Sequence, residues 1–269
     1  MKVYLGPAGI PGSAEEKTTL GGLMKVSELE LNAMEVEFVR SIYLNRRMAE
    51  EVGEEAKKLK IQLTVHAPYF INLLSEKKDV VEASKKRVLD SLDKAEAMNA
   101  EAVVVHAAYY GKLSEEEAFN KMHEITLNIL DKGFKPKLAY ETMAKKSQFA
   151  DLDTLLKLIN KAKNNRLTVC VDFAHLFVRS NGKIDYGEIL SKLERFTHIY
   201  SHFSNVKYNV KTKKFIDVHE PINNHPSFKP LAEEILKRKV NITIISESPI
   251  LELDSLKMKK IFQDLGLKI

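Results

Sequence analysis

The chain has 269 residues, 44% of them apolar and 29% charged, enough for a large core in one α/β barrel or two smaller domains. With 42 basic against 37 acidic residues the formal charge is +5, a mild excess that does not by itself demand a nucleic-acid partner. No apolar run reaches the roughly 18 residues of a membrane span. The start, MKVYLGPAGIPG, lacks a basic-then-apolar leader, so a cytoplasmic location without membrane attachment is expected. The single cysteine, Cys170, has no intramolecular partner for a disulfide, which leaves nitrogen and oxygen ligands for any metal.

In chain order, short β-branched runs fall at VYL (3–5), AMEVEF (33–38), QLTVHA (62–67) and AVVVHA (102–107). KLAYET (137–142), LTVCVD (167–172), THIYSHF (197–203) and ITIISES (242–248) complete a set of eight. Between them lie stretches of helical periodicity. In KKRVLDSLDKAEAMNA (85–100) apolar residues recur every three or four positions, while EEVGEEAKKLK (50–60) reads as a solvated helix face. FADLDTLLKLINKAK (149–163) is expected to open on Asp151 as its N-cap, and SFKPLAEEILKRK (227–239) on Ser227. Strict alternation of strand and helix, without a GxGxxG motif, a P-loop or a linker, favours a closed (β/α)8 TIM barrel forming a single domain over residues 1–269. Two long loops are expected, one after the first strand (GPAGIPGSAEEKTTLGG) and one at about 203–226.

Polar residues end these apolar runs. Barrel active sites form at the C-terminal rim of the strands. There the third strand ends in His66, the fourth in His106, the fifth in Glu141 and the sixth in Asp172 with His175 just beyond, while the seventh ends in His202 and the eighth in Glu247. In FIDVHEP, Asp217 and His219 stand two apart, so an extended backbone aims both to one side. Any one of these residues alone reads as an ordinary structural hydrogen-bonding group. Nine together, without sulfur, suit zinc, manganese or iron(II), and they exceed what one tetrahedral or octahedral ion can take. His123, His198 and His225 fall off the pattern, and Asp153, Asp185 and Glu220 read as cap or loop carboxylates.

HAPYFINL (66–73), VVVHAAYYGK, YET around Glu141, VCVDFAH (169–175), HFSN (202–205), DVH (217–219) and ISESP (245–249) resemble, in order, the motifs of the endonuclease IV family of apurinic/apyrimidinic endonucleases, which are xylose-isomerase-like barrels. The resemblance spans nearly the whole chain. It implies a DNA-repair hydrolase that cuts the phosphodiester 5′ to abasic sites in double-stranded DNA and leaves a 3′-hydroxyl, using up to three zinc ions, with manganese or iron possible at some sites. It assigns His66 and His106 to a first ion, Glu141 as a bridge to a second held also by Asp172, His202 and Glu247, and His175, Asp217 and His219 to a third. The resemblance implies Glu141 and Glu247 as catalytic carboxylates and Tyr69 and Phe70 at the positions that press into DNA at the lesion; VRSIYLNRR, in place of the family's arginine-bearing loop after the second strand, offers Arg40, Arg46 and Arg47, of which Arg40 is taken as the DNA contact. AAYYGK after the second histidine and MAKKSQF after Glu141 differ from bacterial loops, as in a divergent archaeal-type member. A monomer is expected. The main alternative is a sugar isomerase or epimerase on the same barrel, holding one ion through Glu141, Asp172, His202 and Glu247; a further one is a metal-stabilised barrel that binds without turnover.

Overall fold

A computed structural model describes residues 1–149 and 151–269; Ala150, inside the helical stretch read from the sequence at 149–163, lies outside the described residues. The chain opens with β1 (Val3–Pro7), α1 (Thr19–Glu28), β2 (Ala33–Glu37), α2 (Arg46–Leu59), β3 (Gln62–His66) and α3 (Lys78–Ala97). It continues through β4 (Ala102–Val105), β5 (Ala108–Tyr109), α4 (Glu115–Leu130), β6 (Lys137–Glu141), β7 (Gln148–Phe149) and α5 (Leu152–Ala162). Next come β8 (Leu167–Asp172), α6 (Phe173–Arg179), α7 (Tyr186–Lys192), β9 (Ile199–Phe203), β10 (Asn205–Asn209) and β11 (Lys214–Glu220). It ends in α8 (Phe228–Arg238), β12 (Ile242–Ser246) and α9 (Glu252–Asp264). All eight expected strands are present, as β1, β2, β3, β4, β6, β8, β9 and β12, with a helix after each.

Two compact units divide the chain. One comprises 35–58 and 62–170. In it β3, β4, β6 and β8 run parallel, with Val65 opposite Val103, Val104 opposite Ala139 and Glu141 opposite Cys170. Val103, Val104 and Val105 are all buried, as in a strand covered on both faces, which is why the run is continuously apolar rather than alternating. The N–H of Phe38, just past β2, donates to the His66 carbonyl at 3.0 Å. A short antiparallel ribbon sets Tyr109 of β5 against Gln148 of β7. At α5 the expected cap forms: Asp151 accepts from the Thr154 N–H at 2.9 Å. On α2 the charges pair along the helix, Arg47 with Glu51 at 3.0 Å and Lys58 with Glu55 at 3.1 Å, as a solvated face should.

The other unit comprises 1–34, 59–61 and 171–269. There β12 lies between β1 and β9, all parallel, with Leu5 opposite Ile244 and Ile245 opposite His202. Gly6 is required by close approach, since a Cβ there would stand 1.7 Å from the Ala33 carbonyl oxygen. The loop expected at about 203–226 is in large part a hairpin: β10 and β11 pair antiparallel, with a bulge between Val206 and Lys207. Neither VKYN nor KFIDVH alternates regularly between exposed and half-buried residues, and the turn lacks the Asn-Gly or Asp-Gly signal of tight hairpins. Ser227 does precede α8, but its side chain makes no capping bond; instead its carbonyl accepts from the Tyr186 hydroxyl at 2.8 Å. Among the described residues no helix is long and apolar enough to cross a membrane.

Candidate metal centre

In the unit of 35–58 and 62–170, His66 is the last residue of β3, Glu141 the last of β6, and His106 follows β4 directly. The strand backbones therefore deliver all three side chains at their C-terminal ends. Nδ1 of His66 lies 2.8 Å from the Ala67 carbonyl, so a proton there leaves Nε2 as the lone-pair nitrogen, and that atom faces Glu141 Oε2 at 3.3 Å. His106 Nε2 stands 2.9 Å from the same oxygen. One donor atom from each of the three lies within 4.8 Å of the others, a spacing that one cation can bridge. Burial of His66 works against its protonation, yet Glu37, Glu141 and Glu35 outweigh it and push its pKa up to about 10. Their field favours positive charge here, whether a proton or a metal dication supplies it.

Glu35 and Glu37 were missed in the sequence reading. They stand in β2, where Glu35 accepts from the Thr64 hydroxyl at 2.7 Å. The available signal was two carboxylates, two apart, inside the otherwise apolar AMEVEF.

Six further donors gather in the unit of 1–34, 59–61 and 171–269. Asp172 ends β8, and its Oδ1 accepts the His175 N–H at 2.6 Å, capping α6, while Oδ2 lies 3.6 Å from His175 Nδ1. His175 Nε2 then faces Asp217 Oδ1 at 3.3 Å, and His219 Nε2 faces the same oxygen at 3.8 Å. Asp217 and His219 sit two apart on extended β11, as their spacing required. Donor atoms of Asp172, His175 and His219 lie within 4.8 Å of one another. On β9, His202 Nδ1 is 3.4 Å from Glu247 Oε1 and 4.0 Å from Asp172 Oδ2. His219 Nδ1 closes the network on the Glu247 carbonyl at 2.9 Å. Burial opposes the charge of His219, but Glu247 and Asp172 prevail and raise its pKa. Six imidazole and carboxylate groups packed this way exceed the needs of one four-coordinate ion, and their N/O chemistry fits a borderline dication such as zinc.

Tyr69 stacks on His106 with ring centroids 5.3 Å apart and planes at 26°, and its N–H donates to the Val39 carbonyl at 3.2 Å. Tyr69 is 44% exposed and Phe70 64%, which excludes core packing as the reason for this pair. Arg40 is exposed in the loop after β2. The excluded histidines are accounted for: His123 lies within α4, His198 meets the Thr243 hydroxyl at 2.8 Å, and His225 stacks on Phe177. Asp185 caps α7 by accepting from the Glu188 N–H at 2.9 Å.

The family model described as xylose isomerase-like TIM barrel matches residues 23–262. The chain belongs to that family. For a xylose isomerase-like TIM barrel the eight strand–helix rounds are the (β/α)8 fold. An uncharacterized protein of Methanocaldococcus jannaschii is 30% identical, covering 98% of each chain. A probable endonuclease 4 of Mycoplasmopsis synoviae is 26% identical over 71% of this chain and 70% of its own. Among solved xylose isomerase-like barrels, endonuclease IV from Thermus thermophilus superposes with a TM-score of 0.71 at 20% identity, covering 98% of each chain. A D-tagatose 3-epimerase-like protein superposes with a TM-score of 0.74, also at 20% identity, covering 98% of this chain and 96% of that one. Likeness at this identity establishes the barrel and leaves its chemistry to the site.

Proposed function

We propose that the protein is a metal-dependent DNA-repair endonuclease that hydrolyses the phosphodiester 5′ to abasic sites in duplex DNA, leaving a 3′-hydroxyl. The observation that carries this reading is the surplus of donors. A single-ion epimerase needs about four donors, yet His66 and His106 crowd Glu141, His175 faces Asp172, and Asp217 faces both His175 and His219. The sequence relatives named probable endonuclease 4 point the same way.

In this reading the ions are held by His66, His106 and Glu141 in the one unit and by Asp172, His175, His202, Asp217, His219 and Glu247 in the other. Zinc fits the donor set, with manganese or iron(II) as substitutes. Divalent ions bound there would acidify an attacking water and offset charge on the phosphate and on the departing oxygen. The chain's own groups do the rest. Glu141 and Glu247 orient the water, Nδ1 of His66 stays anchored on Ala67 so that Nε2 points inward, and Tyr69 and Phe70 fill the gap left by a missing base. Arg40 contacts a phosphate. Action as a monomer in the cytoplasm belongs to the same proposal.

The test is incision of a duplex carrying one synthetic abasic analogue, with a count of ions per chain in the untreated protein. Nicking 5′ to the analogue with about three ions supports the nuclease. The shared fold with the D-tagatose 3-epimerase-like protein keeps one rival in view. Epimerisation of ketoses with about one ion and no cleavage would transfer the case to it.

A further inference from the structure

The hairpin of β10 and β11 carries Lys207, Lys211, Lys213 and Lys214 within eight residues and no acidic residue among them. All four are exposed, as are Tyr208 and Val210 between them. Several lysines elsewhere pair with carboxylates, as Lys86 does with Asp90 at 2.5 Å, Lys237 with Glu234 at 2.8 Å and Lys260 with Asp264 at 2.5 Å. Among the described residues, none of the hairpin's four ammonium groups has a carboxylate partner. The stretch 207–214 thus holds a net charge of +4 in a chain whose total is +5.

This finger is braced. Phe215 packs edge-on against Phe177 at 4.6 Å and Tyr208 at 5.0 Å, and its N–H donates to Asn181 Oδ1 at 3.3 Å. At the tip, Asn209 Oδ1 accepts from the N–H groups of Lys211 and Thr212 at 3.0 and 3.2 Å. At the base, Val206 N–H donates to the His225 carbonyl at 2.9 Å, and the Asn205 amide donates to the Pro226 carbonyl at 2.7 Å. The same β11 carries Asp217 and His219, so Lys214 stands about 10 Å along an extended strand from the candidate ligands. A row of unneutralised ammonium groups on a braced element, leading to the candidate metal ligands, is complementary to a polyanion and to little else.

We propose that the β10–β11 hairpin is a phosphate-backbone grip, which holds duplex DNA along Lys207, Lys211, Lys213 and Lys214 and feeds one strand to the metal ligands at its base. This rests on the nuclease reading and extends it to residues outside the ligand set. The test measures binding of a labelled abasic duplex by the full-length, metal-loaded protein across a salt series. Two variants are compared with the parent: Lys207→Gln, Lys211→Gln, Lys213→Gln and Lys214→Gln combined, and the same four positions changed to arginine.

The glutamine variant is expected to flatten the dependence of log affinity on log salt by about 0.9 for each ammonium engaged, so by about 2 to 4 in all. The arginine variant should keep the parental slope, and both should keep parental metal content and melting temperature. A glutamine variant with parental slope and affinity overturns the grip while the nuclease reading stands. If the parent protein binds no duplex at any salt, the nuclease reading falls and the grip with it. Binding of phosphatidylserine vesicles through these lysines, with duplex affinity untouched by their loss, also overturns it.

Discussion

Asp172 engages His175 twice, accepting its backbone N–H at 2.6 Å through Oδ1 and facing its ring at 3.6 Å through Oδ2. One carboxylate therefore both starts α6 and contributes to the donor cluster. Asparagine keeps a capping oxygen but loses the charge, whereas alanine loses both. Asp172→Asn is expected to lower the ion count per chain, and Asp172→Ala to lower it equally while costing about 1 kcal/mol more in unfolding free energy. Metal analysis and denaturant melts separate the two effects. An unchanged ion count in both variants would remove Asp172 from the ligand set.

Glu247 lies beside His202 at 3.4 Å, and its backbone carbonyl holds His219. Glu247→Gln keeps the backbone contact and the side-chain volume while removing the negative charge. The expected result is loss of incision on an abasic duplex by about 100-fold or more, with the far-ultraviolet circular dichroism unchanged. Incision at the parental rate would show that the carboxylate charge plays no part.

Tyr69 rests flat on His106 and is nearly half exposed. If its ring fills a vacated stack, Tyr69→Ala should weaken binding to abasic duplex by about 1–2 kcal/mol and change binding to intact duplex far less. Equal weakening on both duplexes would make Tyr69 a general backbone contact. Phe70→Ala, at a site 64% exposed, should act in the same direction.

Glu252, buried at the start of α9, accepts from the N–H groups of Gly12 at 2.9 Å and Ser13 at 2.8 Å. Burial alone would raise its pKa, but the bonds from Ser13 and Gly12 outweigh this and lower it. A carboxyl whose pKa falls on folding contributes its full stabilisation above the unfolded-state value and loses it as pH drops through the folded one. Glu252→Gln should therefore cost about 1–2 kcal/mol at neutral pH. The gap between variant and parent should close as pH falls below about 4. Melts recorded across pH would reject this if the gap stays constant.

The strands and the clustered donors were legible because a polar residue that ends an apolar run is an anomaly visible without coordinates. His66 after LTV and Asp172 after VCV stand out for that reason. Glu35 and Glu37 escaped notice because they interrupt AMEVEF at alternate positions, which a half-exposed strand would also show. The ribbon of Ala108–Tyr109 with Gln148–Phe149 is two residues long on each side, too short to carry any periodicity. The β10–β11 hairpin was obscured by its lysine-rich centre and its bulge, which break the regular alternation by which strands are read. Ser227 shows the converse: a residue type suited to capping stands in the right place, and its hydroxyl makes no capping bond.

The bond between Glu252 and the loop at Gly12 and Ser13 joins positions 239 and 240 residues apart. During synthesis on the ribosome, the amides of that early loop have no such acceptor until Glu252 has emerged. The loop at Gly12 and Ser13 therefore completes its final shape only after α9 has been made, and a product ending before α9 leaves it unfastened.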